Sequence, residues 1–307
     1  MRILVVGAGS TGGYFGGRLA QAGRDVSFLV RPARAAQLSE RGLEIASPHG
    51  DLTVRPQIVT ADRIPDPFDV VLLSVKAFAL EGALADIAPA VGPQTMILPV
   101  LNGMKHMDVL TARFGAERVL GGVCKIIGRL DEAGRIVQMT PLHELIYGEV
   151  SGARTARIAA LDAVLQGAGF DARLSDRILQ DMWEKWVFLA ALGAITCLMR
   201  GTIGEVAATG DGKAVALAIA AECAAIATAS GYPPSPALLA SSQALLTADG
   251  SPMTSSMYRD LVAGNAVEVD QILGDLIVRA RALGVSVPLL EAANVALGVY
   301  ANRRMHG

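Results

Sequence analysis

The chain has 307 residues, room for one or two domains, and 52% of them are hydrophobic, so a large core can be buried. A formal net charge of −2 gives no basic footprint for nucleic acid. Three scattered cysteines (Cys124, Cys197, Cys223) form no C-x-x-C pair and four histidines (His49, His106, His143, His306) lack ligand spacing, which excludes a disulfide or zinc framework and any expected metal and fits a reducing compartment.

The chain opens with a β-branched and aliphatic run at 2–6, which suits a strand buried on both faces. Gly7, Gly9 and Gly12 follow as G-x-G-x-x-G, and 14–21 reads as a helix. Gly7 makes the tight turn, Gly9 lets a pyrophosphate approach the backbone, and Gly12 lets helix and strand pack closely. The helix N-terminus offers free N–H groups and a partial positive charge. The whole turn of Gly7, Ala8, Gly9, Ser10, Thr11 and Gly12 is therefore expected to bind a dinucleotide. The same pattern, broken by glycines, is no signal peptide, and a cytoplasmic protein is expected.

A second strand is predicted over 24–30 and a second helix over 32–40. NAD-binding folds usually place an acid at the end of that strand to bind the ribose 2′-hydroxyl. Here Arg31 stands there, with Arg34 one turn on and no acid between. A carboxylate would repel a 2′-phosphate, whereas a guanidinium pairs with it, so NADP(H) is favoured. The alternative is a pair of solvated surface arginines.

Short strands are expected within 42–59, a buried strand over 69–75 ending at Lys76, a helix over 81–88, and a strand over 95–101 ending at Asn102. Lys76 and Asn102 then lie just past the carboxyl ends of parallel strands, where open α/β sheets bind ligands. Further strands are read at 118–127, 135–140, 143–150 and 171–174, with a helix at 155–166. Beyond Arg177 the period is helical throughout, with helices expected at 178–199, 213–230, 236–248, 256–263, 267–283 and 288–304. The apolar stretch 186–199 is shorter than the roughly 20 residues of a membrane span and reads as a core helix. The expected architecture is an α/β Rossmann-type domain over 1–175 and an all-α domain over 176–307, with a substrate site between them.

Reduction of a ketone by a nicotinamide cofactor needs a proton donor near the carbonyl oxygen. Lys185, between Trp183 and Trp186, is the candidate, although an i, i+4 pair with Asp181 on an exposed helix face fits the same spacing. Glu268 also fits a helix cap with Asn265, and Ser255 and Ser256 fit a helix start.

The segments GAGSTG, Arg31, SVKAF with Lys76, LNGM with Asn102, WEKW with Lys185, SSMYRDL, NAVEVDQILG with Glu268 and GVSVP together resemble the ketopantoate reductases, over nearly the whole length. The resemblance implies an N-terminal dinucleotide-binding domain, an all-helical C-terminal domain, and NADPH-dependent reduction of ketopantoate to pantoate on the route to pantothenate and coenzyme A. It implies that Lys185 is the proton donor and Glu268 the acid at the substrate's hydroxyl end. Ser256 would hold the substrate carboxylate, and Lys76 and Asn102 would line the nicotinamide and the reacting carbonyl. The chain departs from the family's pattern at Leu189 and Gly193, where asparagines are usual. That leaves another 2-oxo acid open as the substrate. A 3-hydroxy acid or opine-type dehydrogenase of similar two-domain build also stays open, as does a non-catalytic NADPH-binding redox sensor. A homodimer is compatible with the apolar helical domain.

Overall fold

The computed structural model of the chain describes residues 1–64 and 66–306, with side chains as far as Arg304, so the His306 imidazole lies outside the described residues. The chain divides into two compact units. The first comprises Met1–Leu101 with His106–Ile178, and the second Asn102–Lys105 with Leu179–Gly307.

The first unit runs β1 (Arg2–Val6), α1 (Ser10–Gln21), β2 (Asp25–Leu29), α2 (Pro32–Arg41), β3 (Leu43–Ala46), β4 (Leu52–Val54), β5 (Gln57–Val59), β6 (Val70–Leu73), α3 (Leu80–Ile87), β7 (Met96–Pro99), α4 (Lys105–Phe114), β8 (Leu120–Leu130), β9 (Ile136–Glu149), α5 (Ala156–Leu165) and β10 (Asp171–Leu174). One sheet has the order β5-β2-β1-β6-β7. Its strands are all parallel. That accounts for the unbroken apolar runs, since every residue of β6 and β7 is buried. The order reverses at β1, so the crevice at its carboxyl end is the ligand-binding position of such a sheet.

The second sheet has the order β10-β9-β3-β4, with β8 pairing β9. The strands expected separately at 135–140 and 143–150 form one long β9. Pro141 falls in the irregular stretch between the Gly128–Gln138 and Ile126–His143 pairs, where the ladder asks for no N–H. Helix α1 is fixed to β9 by the Tyr14 hydroxyl, 2.8 Å from His143 Nδ1. The His143 ring stacks on His49 at 3.6 Å between centroids. Burial, and then the charge of His49, hold His143 below the usual histidine range.

The second unit is helical: α6 (Ile178–Met199), α7 (Ile203–Ala207), α8 (Gly212–Ala229), α9 (Pro236–Leu246), α10 (Ser256–Val262), a π-helical turn (Asp270–Gly274), α11 (Asp275–Ala282) and α12 (Pro288–His306). The helix expected over 178–199 forms as the 22-residue α6, and the apolar stretch 186–199 is its C-terminal part. By length and composition α6 and α8 are both long enough to cross a membrane, and 67% of the apolar window of α6 is buried inside the protein.

Candidate functional site

The glycine turn is built as its chemistry requires. Gly7 adopts φ +91°, a region open to glycine, and donates its N–H to the Leu29 carbonyl at 3.0 Å. This ties the end of β1 to the end of β2. A Cβ on Gly12 would fall 1.9 Å from Ser74 Oγ and 2.3 Å from the Gly7 carbonyl oxygen, so no side chain fits there. A Cβ on Gly9, by contrast, would meet no atom within 4 Å. That open space lies against the first turn of α1, where Gly9 is the N-cap and no side chain caps the helix. The N–H groups of Ser10, Thr11 and Gly12 have no partner inside the helix, as in any first turn. The turn therefore fits a pyrophosphate: a cradle that a Cβ would fill, donors that face it, and no acid in the first turn.

Arg31 follows β2 as the exposed N-cap of α2. Its neighbour Arg34 has another task. Its guanidinium donates to the Gln37 side chain, to Gly134 O at 2.9 Å and to Ala8 O at 3.1 Å. Burial lowers its pKa from the usual arginine range. Arg34 therefore fastens α2 to the glycine turn and to the β8–β9 hairpin. By spacing alone it groups with Arg31 as a phosphate ligand or a solvated surface residue, and neither describes it.

Sequence reasoning also misses Ser74. Its hydroxyl bonds to Val6 O at 2.9 Å and lies 3.1 Å from Gly7 O, closing the glycine turn from the β6 side. The signal is its place in SVKAF, at the end of a parallel strand. Lys76 comes two residues later, exposed, at the start of a short 3-10 turn.

In the second unit Lys185 is half-buried on α6, between buried Trp183 and Trp186. Asp181, one turn before Lys185 on the same helix, is buried. Glu268 is 8% exposed and precedes the helical turn, and its carbonyl accepts the Ile272 N–H at 3.1 Å. Asn265 stands four residues before Val269, the first helical residue, and its own N–H bonds back to Asp260 O at 2.8 Å. Asn102 groups with this helical unit, and its carbonyl accepts from Gln271 Nε2 at 2.8 Å. Ser255 is the N-cap of α10: its Oγ accepts the Tyr258 N–H at 2.9 Å and lies 3.0 Å from Thr196 Oγ on α6. Ser256 follows it, exposed, as the first residue of α10.

Residues 185, 189 and 193 share one face of α6 by their spacing. Leu189 is half-buried. At Gly193 a Cβ would come 2.8 Å from the Met257 methyl group. The place where an asparagine would stand is therefore packed by a thioether.

The family model described as "Ketopantoate reductase PanE/ApbA" matches residues 3–152, and "Ketopantoate reductase PanE/ApbA C terminal" matches residues 177–300. The chain belongs to the ketopantoate reductase family. It is 39% identical over 306 residues to the uncharacterized oxidoreductase YkpB of Bacillus subtilis (strain 168), covering 100% of this chain and 99% of that protein. It is 28% identical over 296 residues to the 2-dehydropantoate 2-reductase of Halobacterium salinarum, covering 95% of this chain and 96% of that one. The solved 2-dehydropantoate 2-reductase of Geobacter metallireducens GS-15 superposes with a TM-score of 0.88 at 29% identity, covering 97% and 99% of the two chains. Membership makes the ketopantoate reductase-like chain an NADP-dependent oxidoreductase acting on a CH–OH group, with a small 2-oxo acid as the oxidised substrate. The resemblance read from the scattered motifs and the expected fold class are both borne out.

Proposed function

We propose that this family member reduces 2-dehydropantoate (ketopantoate) to pantoate with NADPH, in the cytoplasm, on the route to pantothenate and coenzyme A. The observation that carries the reading is the company Asn102 keeps. It follows a strand of the first unit in sequence, yet it is bonded into the helical unit that also holds Lys185, Ser256 and Glu268. Four residues scattered over the chain that the family uses for one substrate thus belong to one compact body.

When bound, NADPH supplies a hydride to the carbonyl carbon. The residues of the chain do the rest. The Lys185 ammonium donates a proton to the carbonyl oxygen as negative charge builds there, completing the CH–OH group. Its half-buried position between two indoles strengthens that interaction, since water screens it less. The Glu268 carboxylate accepts a hydrogen bond from the hydroxyl end of the substrate, and the Ser256 hydroxyl donates to the substrate carboxylate. Lys76 and Asn102 orient the nicotinamide and the reacting carbonyl. The turn from Gly7 through Ala8, Gly9, Ser10 and Thr11 to Gly12 holds the pyrophosphate, and Arg31 pairs with the 2′-phosphate. A homodimer is supported by α8, whose Ala214, Leu217, Ala218, Ala221 and Ala225 are exposed.

A second reading keeps the chemistry and changes the acid. Leu189, together with Met257 packed at Gly193, favours a less hydroxylated 2-oxo acid than ketopantoate. The test is NADPH oxidation followed against a panel of 2-oxo acids, with Lys185→Ala alongside. Turnover of ketopantoate above all others, falling about 10² to 10⁴-fold in kcat in the variant, supports the first reading. A different preferred acid with the same loss supports the second. Near-normal turnover by Lys185→Ala rejects its role as donor.

A further inference from the structure

The sequence reads one regular helix over 267–283, but the segment changes character within it. Helical structure begins at Val269, Asp270–Gly274 forms a π-helical turn, and α11 resumes the ordinary period at Asp275. Single π-helical turns are rare, and they concentrate at functional sites because the wider turn re-aims backbone and side-chain groups.

Here the turn reaches two other segments. The Ile272 carbonyl accepts the Trp186 indole N–H at 2.9 Å, next to Lys185 in the sequence of α6. The Gln271 side chain, 4% exposed, donates from Nε2 to the main-chain carbonyl of Asn102 at 2.8 Å. The following Gly103 has φ +78° and lies against the backbone of the π turn, where a Cβ would fall 2.5 Å from the Gln271 carbonyl oxygen. The Asn102–Gly103 peptide is therefore held from two directions by one residue. Glu268 lies three residues before Gln271, joined to the same turn by the Ile272 N–H. Asn102 and Glu268 are carried on backbone that this turn bonds, and Lys185 precedes the tryptophan whose indole N–H the turn accepts.

We propose that Gln271 is a positioning residue for the reduction: by bonding the Asn102 carbonyl it fixes the backbone from which the Asn102 side chain is presented to the reacting groups. The inference rests on the functional reading of Asn102. Gln271 itself touches no reacting atom in this scheme. Its effect passes through the placement of a neighbour, and a displacement of about 1 Å in a reacting group costs on the order of a hundredfold in rate.

The experiment is a double-mutant cycle of Gln271→Met and Asn102→Ala, measured as kcat and KM with NADPH and the best 2-oxo acid. Methionine keeps the length and volume of glutamine and removes the donor. Gln271→Glu, the same shape with no donor when ionised, serves if the methionine variant does not fold. Gln271→Met is expected to lower kcat about ten- to a hundredfold, with a smaller change in KM. In the Asn102→Ala background it is expected to add nothing, because the side chain it positions is gone. A residue that merely stabilises the fold would instead give additive losses in the two backgrounds. Normal kcat in Gln271→Met beside an impaired Asn102→Ala overturns the proposal alone. Additive losses also overturn it. Full activity in Asn102→Ala overturns the functional reading of Asn102 and the proposal with it.

Discussion

Arg31 and Arg34 are a helical turn apart and carry the same charge, yet their surroundings divide their work. Arg34 is half-buried, and its terminal Nη1 and Nη2 groups donate to the Ala8 and Gly134 carbonyls and to Gln37, while its Nε has no hydrogen-bond partner. Removing it would strip partly buried carbonyls of their donor, a cost of up to about 1–3 kcal/mol in stability. Arg31 stands exposed at the end of β2, beside a glycine turn that Gly7 has already tied to Leu29. A charge-assisted bond to a phosphate is worth about 1.5–3 kcal/mol. Arg31→Asp is therefore expected to weaken NADPH binding about ten- to a hundredfold and to improve NADH relative to it, with little change in thermal midpoint. Titration of the two cofactors by fluorescence checks this. Equal affinity of the wild-type protein for NADH and NADPH would show that Arg31 pairs with no 2′-phosphate. At this scale the sequence placed Arg31, Lys76 and Asn102 just past the ends of strands, where they stand. It concealed what depends on which carbonyl lies nearby, such as Arg34, Ser74 and Gln271, because no spacing rule encodes a tertiary acceptor.

Elements were legible where burial imposes a pattern. β6 and β7 are buried at every position and read as apolar runs, and the glycine turn announced α1. The fold departs from the sequence reading where a local breaker is absorbed, as Pro141 is within β9, and where a regular pattern hides a change of helix type, as at Asp270–Gly274. Hydrophobic spacing differs too little between the α and π periods over one turn to reveal the switch. The glycine turn also separates folding from binding within one motif. Alanine at Gly12 would place a Cβ in contact with the Gly7 backbone and Ser74, which cannot yield without opening the strand–helix junction. Alanine at Gly9 meets nothing in the protein, and its φ of −82° is ordinary for alanine. Gly12→Ala is expected to cost about 1–3 kcal/mol or more in stability, as overpacking does. Gly9→Ala should melt with the wild type, yet lose NADPH affinity at least about tenfold, because its methyl group would occupy the phosphate cradle. Thermal melts paired with cofactor titrations distinguish the two. A Gly9→Ala protein that binds NADPH normally would mean that the open space beside α1 is not the phosphate site.

In the whole molecule the groups proposed for the cofactor's phosphates and most of those proposed for the acid fall in different compact units. Lys76 and Asn102, proposed for the nicotinamide and the carbonyl, fall one in each. The groups assigned to the cofactor's phosphates, Gly7 to Gly12 and Arg31, lie in the first unit, whereas Lys185, Leu189, Gly193, Ser256 and Glu268 lie in the second. Residues with no shared partner have additive effects, within about 0.3–0.5 kcal/mol. Selectivity for cofactor and selectivity for acid should therefore be separable by mutation. Leu189 follows Lys185 by one turn on α6, and in the proposed site it offers an aliphatic surface where an asparagine could bond a substrate hydroxyl. A site built to bond a hydroxyl discriminates by about 10⁴ or more, whereas apolar contact supplies only roughly 10 to 200-fold. Leu189→Asn is expected to raise kcat/KM for ketopantoate relative to its analogue lacking the 4-hydroxyl, and to leave the NADPH-to-NADH ratio unchanged. Arg31→Asp should do the reverse. The double variant should show both shifts at their single-variant sizes, measured as kcat/KM over the four combinations of acid and cofactor. Should Leu189→Asn leave the acid preference untouched while the wild type already favours ketopantoate strongly, the hydroxyl is read elsewhere, and Leu189 and Met257 are simply packing on α6.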